Sequence, residues 1–172
     1  MTNRGVLLCL LMEDLGIDPE LRAFADRLRL QKSVYLLQEL GLPTAFSYNW
    51  YLRGPYSPSL TAVAFEEVAR AHMQGDVTHK GYSLSQNARQ KVRALRRIAD
   101  EPNTMGLPAE YWLELLASMH FYRHKMYFPP GERSRLTDAA WLHGQLPAAK
   151  RTVFTQAQAV QAAEALRAAS LW

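Results

Sequence analysis

The sequence predicts a mainly α-helical domain with a winged-helix-like element and additional C-terminal helices. Three observations lead there. Apolar residues recur at helical spacing over most of the chain, as in Leu30, Val34 and Leu37. One aromatic run, Phe46, Tyr48, Trp50 and Leu52, alternates with Ser47, Asn49, Tyr51 and Arg53, the period of a strand. A capping residue followed by proline, the start signal of a helix, occurs at Asp18-Pro19 and again at Ser57-Pro58. Helix, helix, strand, helix, small hairpin, helix is the order of a winged helix, with short strands or a hairpin expected near 46–52 and 76–84.

The first helix is expected from an Asn3 cap to Gly16. Its apolar run Gly5–Met12 follows Arg4 and has the look of a short signal-peptide core. Glu13 and Asp14 follow at once and no small-residue cleavage site appears, so a buried helix is the better reading. A second helix is expected after Asp18-Pro19, from Leu21 to Leu40, ended by Gly41 and Pro43. Gly54-Pro55 is expected to break the strand. Ser57-Pro58 starts a third helix, with Leu60, Val63, Ala64, Val68 and Ala71 as its apolar stripe and Gly75 as its stop. The segment Asp76–Leu84 reads as a small hairpin with His79-Lys80-Gly81 at its tip. Ser85 caps a helix running to about Asp100, and Glu101-Pro102-Asn103 is a break. Leu107-Pro108 opens a helix through about Arg123, and Tyr127–Gly131 is a loop. Helices over Thr137–His143 and Thr155–Ala169 complete the chain.

At 172 residues, the chain matches one domain of about 150 residues. It is read as a winged-helix-like part over 1–100 and a helical part over 101–172. With 48% hydrophobic and 21% charged residues, it can bury about 70% of its unfolded surface, so no metal or disulfide is needed for folding. The single cysteine, Cys9, excludes a disulfide framework and a four-cysteine zinc site. No apolar stretch approaches the ~18–20 residues of a membrane span. A reduced, cytoplasmic domain with no membrane association and no cofactor is expected. Lys and Arg total 20 against 16 acids, a net charge of +4. That permits nucleic acid or an acidic partner and requires neither.

Candidate sites follow from residue chemistry. Arg89, Arg93, Arg96 and Arg97 share one helix face, with Lys80 nearby and no acid between Asp76 and Asp100. Such a face could neutralise phosphates, although the third helix, in the recognition position, carries Glu66 and Glu67. Arginine is also simply a good helix former on a solvated face. Trp50, Tyr51, Arg53 and Tyr56 surround a turn whose Gly54-Pro55 backbone is fixed, and these residue types dominate protein interfaces. The bland alternative is a structural corner with Tyr56 buried and Arg53 paired to Asp26 or Glu39. His120 and His124 sit at i, i+4 and could share a metal, but Phe121 stands where a metalloprotease places glutamate. Glu132, Asp138 or His143 would have to supply a third ligand. Glycine-rich phosphate loops and a Gly-x-Ser-x-Gly elbow are absent, and Cys9 reads as an inert core residue.

The segment Leu30-Gln-Lys-Ser-Val-Tyr-Leu-Leu-Gln-Glu-Leu-Gly41, with Tyr48–Leu52 and Arg53-Gly-Pro-Tyr-Ser-Pro-Ser-Leu60, resembles the YwgA-like family of small prokaryotic proteins. It is distantly similar to the SocA-like, or Panacea, domain, mainly over Leu28–Leu60. Leu113–Phe121 and Lys150–Leu166 resemble the mid-chain and closing segments of the YwgA-like pattern. The resemblance implies a binding protein, not a catalyst: an antitoxin-like module or an adaptor delivering a partner to a protease, in a toxin–antitoxin or phage-defence setting. Its shared motif falls on Leu30, Gln31, Lys32, Tyr35, Arg53, Gly54, Pro55 and Tyr56, and the Gly-Pro-Tyr-Ser form favours the YwgA-like branch. The residues allow an architectural account of that motif too. Gln31 and Lys32 flank the apolar stripe and could donate to carbonyls freed at the proline corner.

The sequence therefore predicts a non-enzymatic module whose partner is a protein: a toxin, a protease or a defence component. A winged-helix DNA-binding regulator is the second reading and an unrecognised metal-dependent hydrolase the third. A homodimer is left open.

Overall fold

The computed structural model describes residues 1–100 and 105–172; the break expected at Glu101-Pro102-Asn103 lies outside them. The described chain is mainly helical, with one small antiparallel hairpin and a set of C-terminal helices.

Helix α1 (Asn3–Leu15) is capped by Thr2, whose side chain accepts from the Gly5 amide, one residue earlier than the expected Asn3 cap. Gly16 closes it in the left-handed conformation at φ +62°. Helix α2 (Phe24–Glu39) begins later than expected. Asp18 accepts from the Glu20 amide in a local turn, and Leu21 takes φ +55° to bury its side chain in the core. That reversal prevents a helix from starting at Pro19. Strands β1 (Asn49–Tyr51) and β2 (Gly54–Tyr56) pair across Leu52-Arg53, so Gly54-Pro55 forms the second strand of a hairpin, not the break predicted for it. Leu52 lies in the turn and is exposed, against the alternation that put it inside.

Ser57 and Pro58 start α3 (Pro58–Val63) as their types require, with the Ser57 hydroxyl accepting from the Leu60 amide. The helix continues through a π-helical segment (Ala64–Ala69) into α4 (Arg70–Met73). The second hairpin, expected over 76–84, is replaced by a 3-10 turn (Thr78–Gly81). The Asp76 carboxylate accepts from both the amide and the hydroxyl of Thr78, which winds the chain, and His79 Nε2 is tethered to Glu13 at 2.8 Å.

Ser85 caps α5 (Gln86–Ala99), and α6 (Ala109–Lys125) follows Pro108. A 3-10 segment (Pro130–Thr137) takes the last two residues of the expected loop Tyr127–Gly131 and continues to the start of the next helix. Asp138 caps α7 (Ala139–Gln145), and α8 (Ala148–Val153), which the periodicity did not reveal, leads into α9 (Gln156–Ala168) with a Thr155 capping box.

Helix α6 is the axis of the packing. Every residue from Trp112 to Tyr122 is buried, and α2, α5, α7 and α9 pack around it. One apolar cluster runs from Leu11 through Tyr35, Leu95 and Trp112 to Leu166, joining the two parts into which the sequence was divided. The Trp112 indole, fully buried, donates to the Ile98 carbonyl at 2.7 Å, so its one polar atom is satisfied.

The hairpin is held against α6 by its glycine. Gly54 has φ +82°, and a Cβ there would lie 2.6 Å from the Ser118 hydroxyl of α6. Gly54→Ala is therefore expected to destabilise by roughly 2–4 kcal/mol, from backbone strain and collision together. The Ser118 hydroxyl is buried without a partner, so Ser118→Ala in the same chain should return the steric share and leave the strain. Urea denaturation of the four chains of that double-mutant cycle checks it.

Candidate functional site

Helix α2 carries Gln31 and Lys32 to the inner side of the hairpin. Gln31 bonds Ser57 twice, its amide donating to the Ser57 carbonyl at 3.0 Å and its oxygen accepting from the Ser57 amide at 2.9 Å. The same Gln31 amide donates to the Thr61 hydroxyl, which donates to the Tyr56 phenol, both at 2.9 Å. Lys32 Nζ donates to the Pro55 carbonyl at 2.6 Å. These are the donations to the proline corner that the residue types allow.

Beneath the corner is a buried charged cluster. Glu114, in the apolar run of α6, forms an ion pair with Lys150 of α8, both buried. Arg53 reaches the other Glu114 oxygen at 3.4 Å with its side chain 42% exposed. Arg53 thus pairs with neither Asp26 nor Glu39; those acids serve Arg29 and Lys125. Three basic side chains, Lys32, Arg53 and Lys150, share one carboxylate. Burial holds the Lys32 ammonium down to about 7; Glu114 opposes that shift, and Lys150 and Arg53 add to it. Burial also lowers Lys150, against its bond to Glu114.

On the outer side of the same corner lies a cleft of about 460 Å³, between the start of α2, the hairpin turn and the α3–π helix. Tyr51, Arg53 and Tyr56 line it, as do Gln31 and Lys32. Its rim carries four exposed apolar side chains: Phe24 (50%), Tyr51 (59%), Leu52 (78%) and Phe65 (41%). Arg53 lies over the Phe24 ring at 5.6 Å and the Tyr111 ring at 5.4 Å, bridging the turn to α2 and α6.

Of the interface residues read from the sequence, Tyr51, Arg53 and Tyr56 come together here and Trp50 does not. Its indole turns inward against Tyr122 and Phe121, with ring centres at 4.6 and 5.8 Å, and forms part of the core contact of the hairpin. In the shared motif, Leu30 and Tyr35 are core residues, and Gly54 and Pro55 are buried in the hairpin. Phe24, Leu52, Phe65, Glu114 and Lys150 were missed. Only Glu114 left a signal, as a lone carboxylate between Leu113 and Leu115.

The other candidates fall elsewhere. Arg89, Arg93, Arg96 and Arg97 are all exposed on α5, whose buried face is Ala88, Val92, Leu95, Ile98 and Ala99. Lys80 sits in the 3-10 turn. Lys91, between them, is committed to the Leu40 carbonyl. His120 is buried and held down to about 3, first by burial and then by His124 and nearby cations. It is therefore neutral, and its Nδ1 is hydrogen-bonded to the Tyr35 phenol, itself raised by burial, at 2.7 Å. His124 stacks against it with ring centres at 4.5 Å. No cluster of three or more His, Cys, Asp or Glu residues suited to a metal occurs among the described residues. Burial raises the Cys9 thiol to about 11, which disfavours the thiolate. Among the described residues, no helix is long and apolar enough to cross a membrane.

Compared with known proteins, the chain matches no family model, no curated protein and no solved structure. The expected likeness to YwgA-like and Panacea sequences gains no support from these comparisons.

The buried lysine has a sign that can be measured. An unfolded lysine holds its proton to about pH 10.5 and the folded one only to about 7. Between those values the unfolded chain binds more protons, so stability rises with pH, and the desolvation penalty is fully present below about 7. Lys150 is shifted in the same direction, while Glu114 and Arg53 face the pair. Stability to urea is expected to climb by roughly 1–3 kcal/mol from about pH 7 to about pH 9. Lys32→Met should flatten most of that slope, whatever it does to the midpoint.

Proposed function

We propose that the chain is a non-enzymatic protein-binding module working in the cytoplasm, where its single cysteine stays reduced. The observation that carries this reading is the cleft beside the hairpin, with Phe24, Tyr51, Leu52 and Phe65 exposed around it. Clustered exposed apolar groups of this size mark interaction sites more than they mark ordinary surface. The hairpin presenting Tyr51 and Leu52 is fixed by Gln31, Lys32 and Gly54, and Phe24 and Phe65 stand on helices, so little ordering is required when a partner docks. The partner classes this reading carries are a toxin, a protease or another defence component, as the YwgA-like and Panacea resemblance implies. Its action would be steric, covering a surface of that partner.

A photo-crosslinking amino acid at Leu52, and separately at Phe65, tests it in the native cell. A single heterologous protein adduct at both positions, absent when the label replaces exposed Tyr127, is expected. Adducts only to a second copy of the chain, or equal labelling at all three positions, would overturn it.

The face of Arg89, Arg93, Arg96 and Arg97 supports a second reading, nucleic-acid binding, because all four are exposed on a helix without acids. If that reading holds, duplex DNA binds at micromolar affinity and weakens steeply with salt, and Arg93→Glu with Arg97→Glu abolishes it. Binding that is absent at low salt removes the reading.

A further inference from the structure

The cleft is lined by cations and by no carboxylate. Among the described residues that line it, the charged ones are Arg27, Lys32 and Arg53, and the rest are apolar or neutral. Arg27 is spent on the carbonyls of Leu21 and Arg22. Lys32 is spent on Pro55. Arg53 is different. It sits at the mouth with 42% of its side chain exposed, and Glu114 meets a single one of its nitrogens, at the long distance of 3.4 Å. A guanidinium has five N–H donors in a fixed fork that matches a carboxylate. Phe24 and Tyr111 flank it at 5.6 and 5.4 Å, which lowers the local dielectric and fixes the direction of the fork.

From this we infer that the occupant of the cleft is a segment of a partner protein bearing bulky apolar side chains and an acidic residue, whose carboxylate docks on Arg53. The inference rests on the protein-binding reading and adds the chemistry of the partner. Size separates a protein segment from a small apolar acid. A small acid would fill the cleft of about 460 Å³ and touch only the inner faces of its walls, whereas a polypeptide also covers the outer faces of Phe24, Tyr51, Leu52 and Phe65, which stand 41–78% exposed. Charge favours an acidic segment over a basic one, because a basic residue entering here would meet Arg27 and Arg53 beside the buried Lys32, and no carboxylate lines the cleft.

Random-peptide display on the intact chain, followed by titration of fluorescent copies of the selected peptides, tests this. The expected peptides combine aromatic or aliphatic residues with Asp or Glu. Leu52→Asp should abolish their binding, Arg53→Gln should weaken it about tenfold, and Tyr127→Ser should leave it unchanged. Replacing the peptide's acidic residue by its amide should give the same loss, and the two losses should not add. Peptides that need Leu52 but are indifferent to Arg53 and to their own acids would overturn the charge assignment and leave protein binding standing. Decanoate competing at the affinity of the peptides would overturn the protein occupant. If no selected peptide depends on Leu52, the inference and the protein-binding reading fall together.

Discussion

Lys32 carries its amino group through the interior of the molecule to the carbonyl of Pro55, and the rest of the site is arranged around that bond. Proline cannot donate to a ladder, and the Pro55 carbonyl, buried in a two-stranded sheet, has no third strand among the described residues to accept from. Leaving it unpaired would cost about 1–3 kcal/mol. A lysine is long enough to reach it from a neighbouring helix, but an ammonium taken out of water is expensive. The reduced basicity of Lys32, and the carboxylate of Glu114 beneath it, are the two ways the fold meets that expense. The outcome is a hairpin fastened by side chains from α2, not by a larger sheet. An isolated two-stranded hairpin is marginal in water, so the fastening accounts for its order.

That fastening explains why a cleft exists at all. Gln31 and Lys32 hold the base of the hairpin, and Gly54 lets it approach Ser118 closely, which leaves the turn Leu52-Arg53 projecting beyond the helices. The π-helical segment sets the opposite wall, where Phe65 faces outward while Ala64 and Val68 stay in the core. Between wall and turn the apolar side chains stay 41–78% exposed, even with Arg53 over Phe24 and Tyr51 packed on Tyr56. The buried cluster and the exposed rim are two consequences of one constraint: the corner must be pinned from inside, so its outer face remains free.

Much of this was legible in the residues, and what was not has identifiable reasons. The helices α3, α5 and α9 follow from stripe and cap, α2 from its stripe alone, and the donors at the proline corner follow from residue type. The strand pairing did not. Gly-Pro is a breaker signal in most settings, and here Gly54 supplies the positive φ that ends the turn and lets Pro55 enter a short edge strand. The segment 76–84 misled because Val77, Tyr82 and Leu84 match a strand period, while Asp76 and Thr78 make a local turn that wins over so short a pattern. Composition alone places Trp50 at the surface. Its alternation with Tyr48 predicted the core side, and the inward reading of the period was the correct one. Phe24, Glu114 and Lys150 come to the corner from places remote in sequence, which no local pattern encodes.

The two surfaces that could carry function have different physical origins, and this bears on which is the site. The arginines of α5 lie opposite a regular apolar stripe, as solvated residues on any amphipathic helix do, and their exposure needs no further cause. The rim at the hairpin is a departure from the economical arrangement. Four large apolar groups stand in water beside a cavity, above a cluster whose cations outnumber its carboxylate. Each departure lowers the stability of the isolated chain: the rim by unburied area, the cluster by desolvation. Proteins carry such departures mainly where a partner will complete them. On the proposed reading, a segment that covers the rim and brings one negative charge to Arg53 would complete both at once and make the two features a single site.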